Sequence, residues 1–223
     1  MKILAYNISS CTQQKSETLF KQNADVYVVP EIAAEEEQFL SPDFEMKWKG
    51  IKNEKPFMGT KSKGLGIIWR KGHGKIPDWY DESLTYAIPL IYEGVLILGF
   101  WPTQNDKCKS YTKIAGQIIE KYSSHIAEYK QCIITGDFNL YKSSQSNIIT
   151  INKRLNELGL ISVYHSQENE DFGSETKATY YHKPMNDKPF FLDYTYSKKT
   201  VKDYRLLDRD KDFSDHVGQL IIV

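Results

Sequence analysis

The sequence predicts an α/β protein made of two packed, mostly antiparallel sheets with helices outside. Three observations carry this reading. Short β-rich apolar runs recur along the chain without a regular strand–helix alternation, which argues against a doubly wound parallel sheet. The last third is almost entirely strand-like. Several of these runs end in one polar residue, and strand ends are where such folds build sites. With 223 residues, 40% of them hydrophobic and 26% charged, the chain can bury a core. Folds of two packed sheets often reach this size undivided, so one domain over residues 1–223 is expected.

Residues 2–6 read as a buried strand that delivers Asn7 at its end. Residues 16–23 have helical spacing. Residues 25–29 form the next strand, stopped by Pro30, with Glu31 following at once. A short helix is expected at 35–40, then strands at 45–50 and 64–70. Residues 84–91 and 94–101 read as a hairpin turning near Glu93-Gly94. Ser110 is placed to cap a helix whose apolar side runs Tyr111, Ile114, Ala115, Ile118, Ile119 and Tyr122. On spacing alone, Tyr111 is the edge of that buried stripe. A second helix spans about 145–158, with Gly159 as its stop. The remaining strands fall at 160–164, 178–181, 190–196, 201–207 and 217–222.

One stretch organises the rest: Cys132-Ile133-Ile134-Thr135-Gly136-Asp137-Phe138-Asn139. It reads as a buried strand ending in polar chemistry. Gly136 admits another backbone or a ligand. On an extended backbone Asp137 and Asn139 point to one side. A carboxylate that accepts a proton then sits beside an amide that donates to a negative oxygen, a pair suited to activating water against a phosphate. The competing reading is an Asx turn closing the strand.

Net charge is zero, yet its distribution is uneven. Residues 47–75 hold nine basic residues, among them Lys47, Lys49, Lys61 and Lys63, against Glu54 alone. The rest carries 20 basic and 28 acidic residues. The band reads either as a solvated, lysine-protected edge or as a stripe facing phosphates. Three cysteines (Cys11, Cys108, Cys132) without a CxxC spacing fit a reduced compartment rather than a disulfide framework. No apolar run has the length of a signal segment or a membrane span. A cytoplasmic, monomeric protein with no membrane partner is therefore expected.

Asn7, Glu31, Asp137, Asn139, Asp193, Asp215 and His216 all lie at or beside strand ends. They offer oxygen or imidazole ligands, which suit a hard cation of the Mg²⁺ kind. No paired Cys or His spacing suggests zinc. Asp193 interrupts an aromatic strand and needs a partner there.

These residues belong to motifs that run in order along the chain: Ala-Tyr-Asn-Ile at 5–8, Val-Pro-Glu at 29–31, Gly-Leu-Gly-Ile-Ile at 64–68 and Gly-Asp-Phe-Asn at 136–139. Thr-Tyr-Tyr at 179–181, Leu-Asp-Tyr-Thr-Tyr at 192–196 and Ser-Asp-His at 214–216 follow. In this set the chain resembles the endonuclease/exonuclease/phosphatase superfamily, the group of DNase I-like nucleases, AP endonucleases, sphingomyelinases and inositol polyphosphate 5-phosphatases. The resemblance implies a four-layer α/β sandwich, two sheets flanked by helices. It implies Mg²⁺, with Mn²⁺ as a substitute, held by Glu31 with Asn7 and Asp215 completing or orienting the shell. Asp137 would orient or deprotonate the attacking water and Asn139 would bind a phosphate oxygen. His216, held by Asp193, would stabilise charge on phosphorus. Tyr111 resembles the tyrosine that AP endonucleases carry on the matching helix.

Two departures stand out. Ser9 occupies the position where AP endonucleases often carry a second acid. The segment 99–104 lacks the histidine found in DNase I and many phosphatases, which favours the type carrying a tyrosine such as Tyr111. The expected function is a Mg²⁺-dependent phosphodiesterase on nucleic acid, DNA ahead of RNA, with Lys47, Lys49, Lys61 and Lys63 binding substrate. A hydrolase of small phosphoesters and a non-catalytic binding module are the alternatives. His165 and His182 are expected at surface or turn positions.

Overall fold

The structure is a computed structural model that describes residues 1–9, 13–57, 60–84, 86–104, 108–143, 147–182 and 189–223, without the side chains of 13–14, 52–57 and 60–61. Its elements run β1 (Lys2–Ala5), α1 (Gln13–Phe20), β2 (Val26–Ile32), a 3₁₀ turn (Ala34–Phe39), β3 (Phe44–Phe57) and β4 (Thr60–Arg70). Then come β5 (Gly74–Lys75), β6 (Ala87–Tyr92), β7 (Val95–Phe100), α2 (Tyr111–Glu128), β8 (Cys132–Asp137) and α3 (Ile148–Glu157). The chain closes with β9 (Ile161–Ser162), α4 (Val163–Glu168), β10 (Asp193–Ser197), β11 (Asp203–Leu206) and β12 (Gln219–Ile222).

Alternation inside single strands dictates the layering. In β1, Ile3 and Ala5 enter one apolar cluster while Leu4 enters another. In β4, Leu65, Ile67 and Trp69 face the first cluster and Ile68 the second. Strands apolar on both sides must be covered on both faces. The result is two six-stranded sheets flanked by helices, ordered β11-β12-β1-β2-β4-β3 and β5-β6-β7-β8-β10-β9. Within the ladders only β1–β2 and β7–β8 pair in parallel. The expected architecture is therefore present. The sheets meet closely at Gly99, where an added Cβ would lie 3.3 Å from Val28 Cγ1.

Buried polar links tie the two sheets together. The Thr195 hydroxyl, in contact with Thr135 Oγ1 at 2.7 Å, donates to Gln219 Oε1 across the sheets at 3.0 Å, and Tyr204 donates to the same oxygen at 2.9 Å. Helix α2 carries the expected cap, with Ser110 Oγ accepting from Lys113 N, and buries Ile114, Ala115, Ile118, Ile119, Tyr122 and Ile126. The hairpin of β6 and β7 turns at Glu93 and Gly94, whose φ angles of 49° and 81° suit its tight turn.

Several expectations are corrected. The strand ending at Pro30 runs on to Ile32, with a bulge between Pro30 and Ile32. Pro30 lies beyond the β1–β2 register, which covers Val26, Tyr27 and Val28, and its carbonyl accepts from Ile8 N. The strand expected at 160–164 is two residues long and turns into α4, with Ser162 Oγ 2.8 Å from His165 Nδ1 at the turn. An apolar run that short does not separate strand from helix. Residues 178–181 form no ladder; Tyr180 makes isolated bridges to Phe190 and His216. The strands expected at 45–50 and 64–70 are parts of one long hairpin, β3 with β4. His165 is buried, stacked on Phe172 with ring centroids 3.7 Å apart and in contact with Glu175 Oε1 at 3.1 Å. Cys11 lies outside the described residues, while Cys132 is a buried free thiol.

Candidate active site

The site forms where the inner strands of both sheets end. Strand β8 reaches it through Gly136, whose φ is 142° and whose added Cβ would lie 2.2 Å from the Phe100 carbonyl oxygen. The close neighbour that the glycine admits is thus backbone, not a ligand. Asp137 follows, 1% exposed. Its Oδ1 accepts from Asn139 N at 2.8 Å, and Asn139 has a φ of 52°. The chain therefore turns after Asp137, and the extended arrangement expected for Asp137 and Asn139 is replaced by an Asx turn. The turn aims the Asn139 amide at the Pro102 carbonyl, 3.1 Å away, beside the mouth of β7.

Strand β10 pairs antiparallel with β8 so that Asp193 stands directly opposite Asp137. Two facing carboxylates repel unless something lies between them. His216 does so. Its Nδ1 meets Asp193 Oδ2 at 2.9 Å and its Nε2 lies 4.0 Å from Asp137 Oδ2. The acid interrupting the aromatic strand thus has its partner. Burial by itself would lower the His216 pKa, but Asp193, Asp137 and Asp215 around it raise it to about 9. Burial pushes the Asp137 carboxyl up to about 7 and Asp193 adds to this, against the lowering pull of His216 and of the bonds from Asn139 and Asn7. The Asp193 backbone N–H and that of Leu192 both donate to Thr179 Oγ1 at 2.9 Å, which pins the start of β10.

The other sheet supplies Asn7 and Glu31. Asn7 Nδ2 donates to Asp137 Oδ2 at 2.9 Å and to Glu31 Oε1 at 3.4 Å, while its Oδ1 accepts from Ser9 N at 2.9 Å. Asn7 thus bridges the two acids across the sheets. Glu31 sits on the β2 bulge at a φ of 66°, a strained setting for a side chain of its type. The 3₁₀ turn behind it is docked through Ala34 N to Ser62 Oγ at 2.7 Å, and Ser62 also bonds Glu35. Ser214 closes the floor. Its hydroxyl donates to the Asn7 carbonyl at 2.7 Å and accepts from His216 N at 3.0 Å.

Asp215 is half-buried, and its Oδ1 is buried with no hydrogen-bond partner among the described residues. An orphaned carboxylate oxygen is costly unless a cation completes it. Asp137, Asp193 and His216 also place ligand atoms within 4.8 Å of one another. Both Asp137 oxygens and the His216 Nδ1 in that group already have partners. The Glu31 and Asp215 carboxylates offer further oxygen ligands of the kind a hard divalent ion takes.

No protein-family profile matches this chain, and no curated protein does. Solved structures match over nearly its full length. A 3′–5′ exonuclease from Neisseria meningitidis is 16% identical with a TM-score of 0.71, over 99% of this chain and 98% of that one. A further structure from Neisseria is described as a 3′ phosphatase bound to a product DNA hairpin (16% identity, TM-score 0.70, covering 99% and 98%). An AP endonuclease from Archaeoglobus fulgidus is 14% identical with a TM-score of 0.69, covering 100% and 98%.

The chain has the DNase I-like fold of these solved structures.

Within this fold, Asn7, Glu31, Asp137, Asp193 and His216 are joined by the contacts above, and Asp215 immediately precedes His216 in the chain. Burial raises the Tyr111 phenol, with Asp137 and Glu31 adding to the shift, and this first residue of α2 packs at the edge of the core. The lysines separate. Lys63 Nζ lies 2.7 Å from Glu31 Oε2. Lys47 is paired with Glu82 and lies over the Tyr80 ring at 5.5 Å. Lys49 is half-buried on β3, opposite Leu65. The Lys61 side chain lies outside those described.

Sequence reasoning missed Tyr180 and Thr179 as site residues, although their motif was noted. Tyr180 lies against His216 with ring centroids 4.7 Å apart. Burial, then Asp215, Asp137 and Glu31, push its phenol up to about 12. Its hydroxyl meets His182 Nδ1 at 2.6 Å, so His182 stands at the rim. Which of two adjacent tyrosines faces the site depends on the bridge to His216, which the motif alone does not show.

Proposed function

We propose that this chain is a divalent-metal-dependent phosphodiesterase that hydrolyses nucleic acid, DNA ahead of RNA. The observation that carries the reading is the single buried junction of Asp137, His216 and Asp193, tied to Glu31 through Asn7, with an unsatisfied Asp215 oxygen beside it. Glu31 and Asp215 are the residues to hold Mg²⁺ (or Mn²⁺). Such an ion supplies polarisation of the scissile phosphate and offsets its charge.

The protein groups do the rest. Asp137, raised toward neutrality, accepts the proton of the attacking water or aligns it. Protonated His216, held by Asp193, donates from Nε2 to the phosphate oxygen that gains charge. Asn139 is positioned at the same mouth to donate to a phosphate oxygen after leaving the Pro102 carbonyl. Tyr180 packs against the His216 ring at the site. Nucleic acid as substrate is supported by the fold neighbours solved as an exonuclease and an AP endonuclease.

Purified protein incubated with Mg²⁺ and labelled single- and double-stranded DNA, RNA and small phosphoesters, with EDTA controls, tests this. EDTA-sensitive cleavage of a nucleic-acid phosphodiester is expected, and the product ends identify which P–O bond breaks. Turnover confined to small phosphoesters, or none at all, would contradict the proposal.

A further inference from the structure

Lys63 is out of place as an ordinary surface lysine. On β4 the residues Leu65, Ile67 and Trp69 point between the sheets, and Lys63 is the next residue of that row. The row leaves the core where the site opens. There Lys63 Nζ sits 2.7 Å from Glu31 Oε2 and 5.8 Å above the ring of buried Trp101. Glu31, with only 17% of its side chain exposed, is fixed by its bulge and by the Ser62 dock next to Lys63. The same carboxylate receives the Asn7 amide that also bonds Asp137. Lys63 is thus the one cation of the basic band that the structure joins directly to the acids, among the described residues.

We propose that Lys63 and the divalent cation share Glu31, so that Lys63 couples metal binding to binding of a substrate phosphate. This rests on the metal-dependent reading above. When the cation takes the Glu31 charge, the ammonium is freed at the site mouth, where a phosphodiester oxygen is its next acceptor. A phosphate that draws Lys63 away equally frees Glu31 for the cation. By linkage the two effects are equal in free energy. A half-exposed ion pair contributes at most about 1 kcal/mol, or roughly fivefold in an equilibrium constant. Lys63 therefore tunes the metal requirement rather than abolishing it.

Calorimetric titration with Mg²⁺, in the absence of nucleic acid, tests the first half. Lys63→Met should bind Mg²⁺ roughly two- to fivefold tighter than wild type, and Lys63→Arg, which keeps the charge, should bind like wild type. Lys49→Met removes a charge of the same band that is not on Glu31 and should move the affinity less. The second half is read from binding of a labelled noncleavable phosphorothioate oligonucleotide with and without Mg²⁺. The ion should tighten this binding more in wild type than in Lys63→Met. Equal Mg²⁺ affinity in wild type and Lys63→Met, an equal gain in Lys49→Met, or equal tightening of the oligonucleotide would overturn the inference while leaving the enzyme reading intact. Absence of Mg²⁺ binding in every variant would overturn both.

Discussion

At the residue scale, Asp193 and His216 act as one group. Asp193 lies opposite Asp137 and its oxygen fixes the imidazole nitrogen that faces away from the site centre. Removing either member undoes the same arrangement. His216→Ala is expected to cost about 10² to 10³ in rate, the loss usual for one donor to a developing anion. Asp193→Asn keeps the shape but removes the charge favouring protonated His216, and should cost a comparable amount. The double variant should lose no more than about tenfold beyond the worse single one. Single-turnover rates of the four proteins check this, and a full sum of the two losses would mean that Asp193 and His216 act independently. The polar identities were legible in the sequence because an acid inside Phe-Phe-Leu-Asp-Tyr needs a partner. The partner's geometry was not, since it depends on how β8 and β10 register.

At the element scale, two glycines with positive φ differ in what surrounds them. Gly94 closes the β6–β7 turn at a φ of 81° with nothing within 4 Å of an added Cβ. Gly94→Ala should cost about 1–2 kcal/mol, the strain of a left-handed residue alone. Gly136 adds a backbone clash with the Phe100 carbonyl to a φ of 142°. Gly136→Ala should cost more than about 4 kcal/mol and move the Asp137 carboxyl. Urea denaturation midpoints of the two variants compare them; equal losses would remove the special role of Gly136 in delivering Asp137. Elements with strong local signals were readable from sequence, as α2 shows with its capped, evenly spaced apolar stripe. The β3–β4 hairpin was read as two short strands. Lysines, glycines and asparagine in its outer half mask the pairing that joins them, and only the inner half carries an apolar pattern. The region around Ser162 was misread because an apolar run that short does not separate strand from helix.

At the scale of the whole molecule, the uneven charge and the joined sheets define one working mouth. Antiparallel register puts Lys47 and Lys49 opposite Ile67 and Leu65, on the face that Lys63 shares. The row therefore leads toward the acids, although Glu82 already offsets Lys47. Nucleic-acid affinity measured in EDTA over a range of salt should show this. Lys49→Met is expected to flatten the logarithmic salt slope by about 0.9 for double-stranded DNA, and Lys47→Met and Lys63→Met, each already paired with a carboxylate, by less. Unchanged slopes in all three would return the band to a solvated edge. The order of the motifs made the fold legible in the sequence, because several of them place polar residues at the ends or starts of neighbouring strands. The pairing of Lys63 with Glu31 was hidden, since it joins residues from different strands. In the proposed mechanism Glu31 and Asp137 do different work, one through charge toward a metal ion and the other through a proton. A Mg²⁺ titration of cleavage rate for wild type, Glu31→Gln and Asp137→Asn, with folding checked by circular dichroism, separates them. Glu31→Gln should need more Mg²⁺ and recover part of its rate, whereas Asp137→Asn should stay about 10² to 10⁴ slower at every concentration. Recovery of Asp137→Asn at high Mg²⁺ without recovery of Glu31→Gln would reverse the two assignments, and wild-type rates in both would place the chemistry elsewhere.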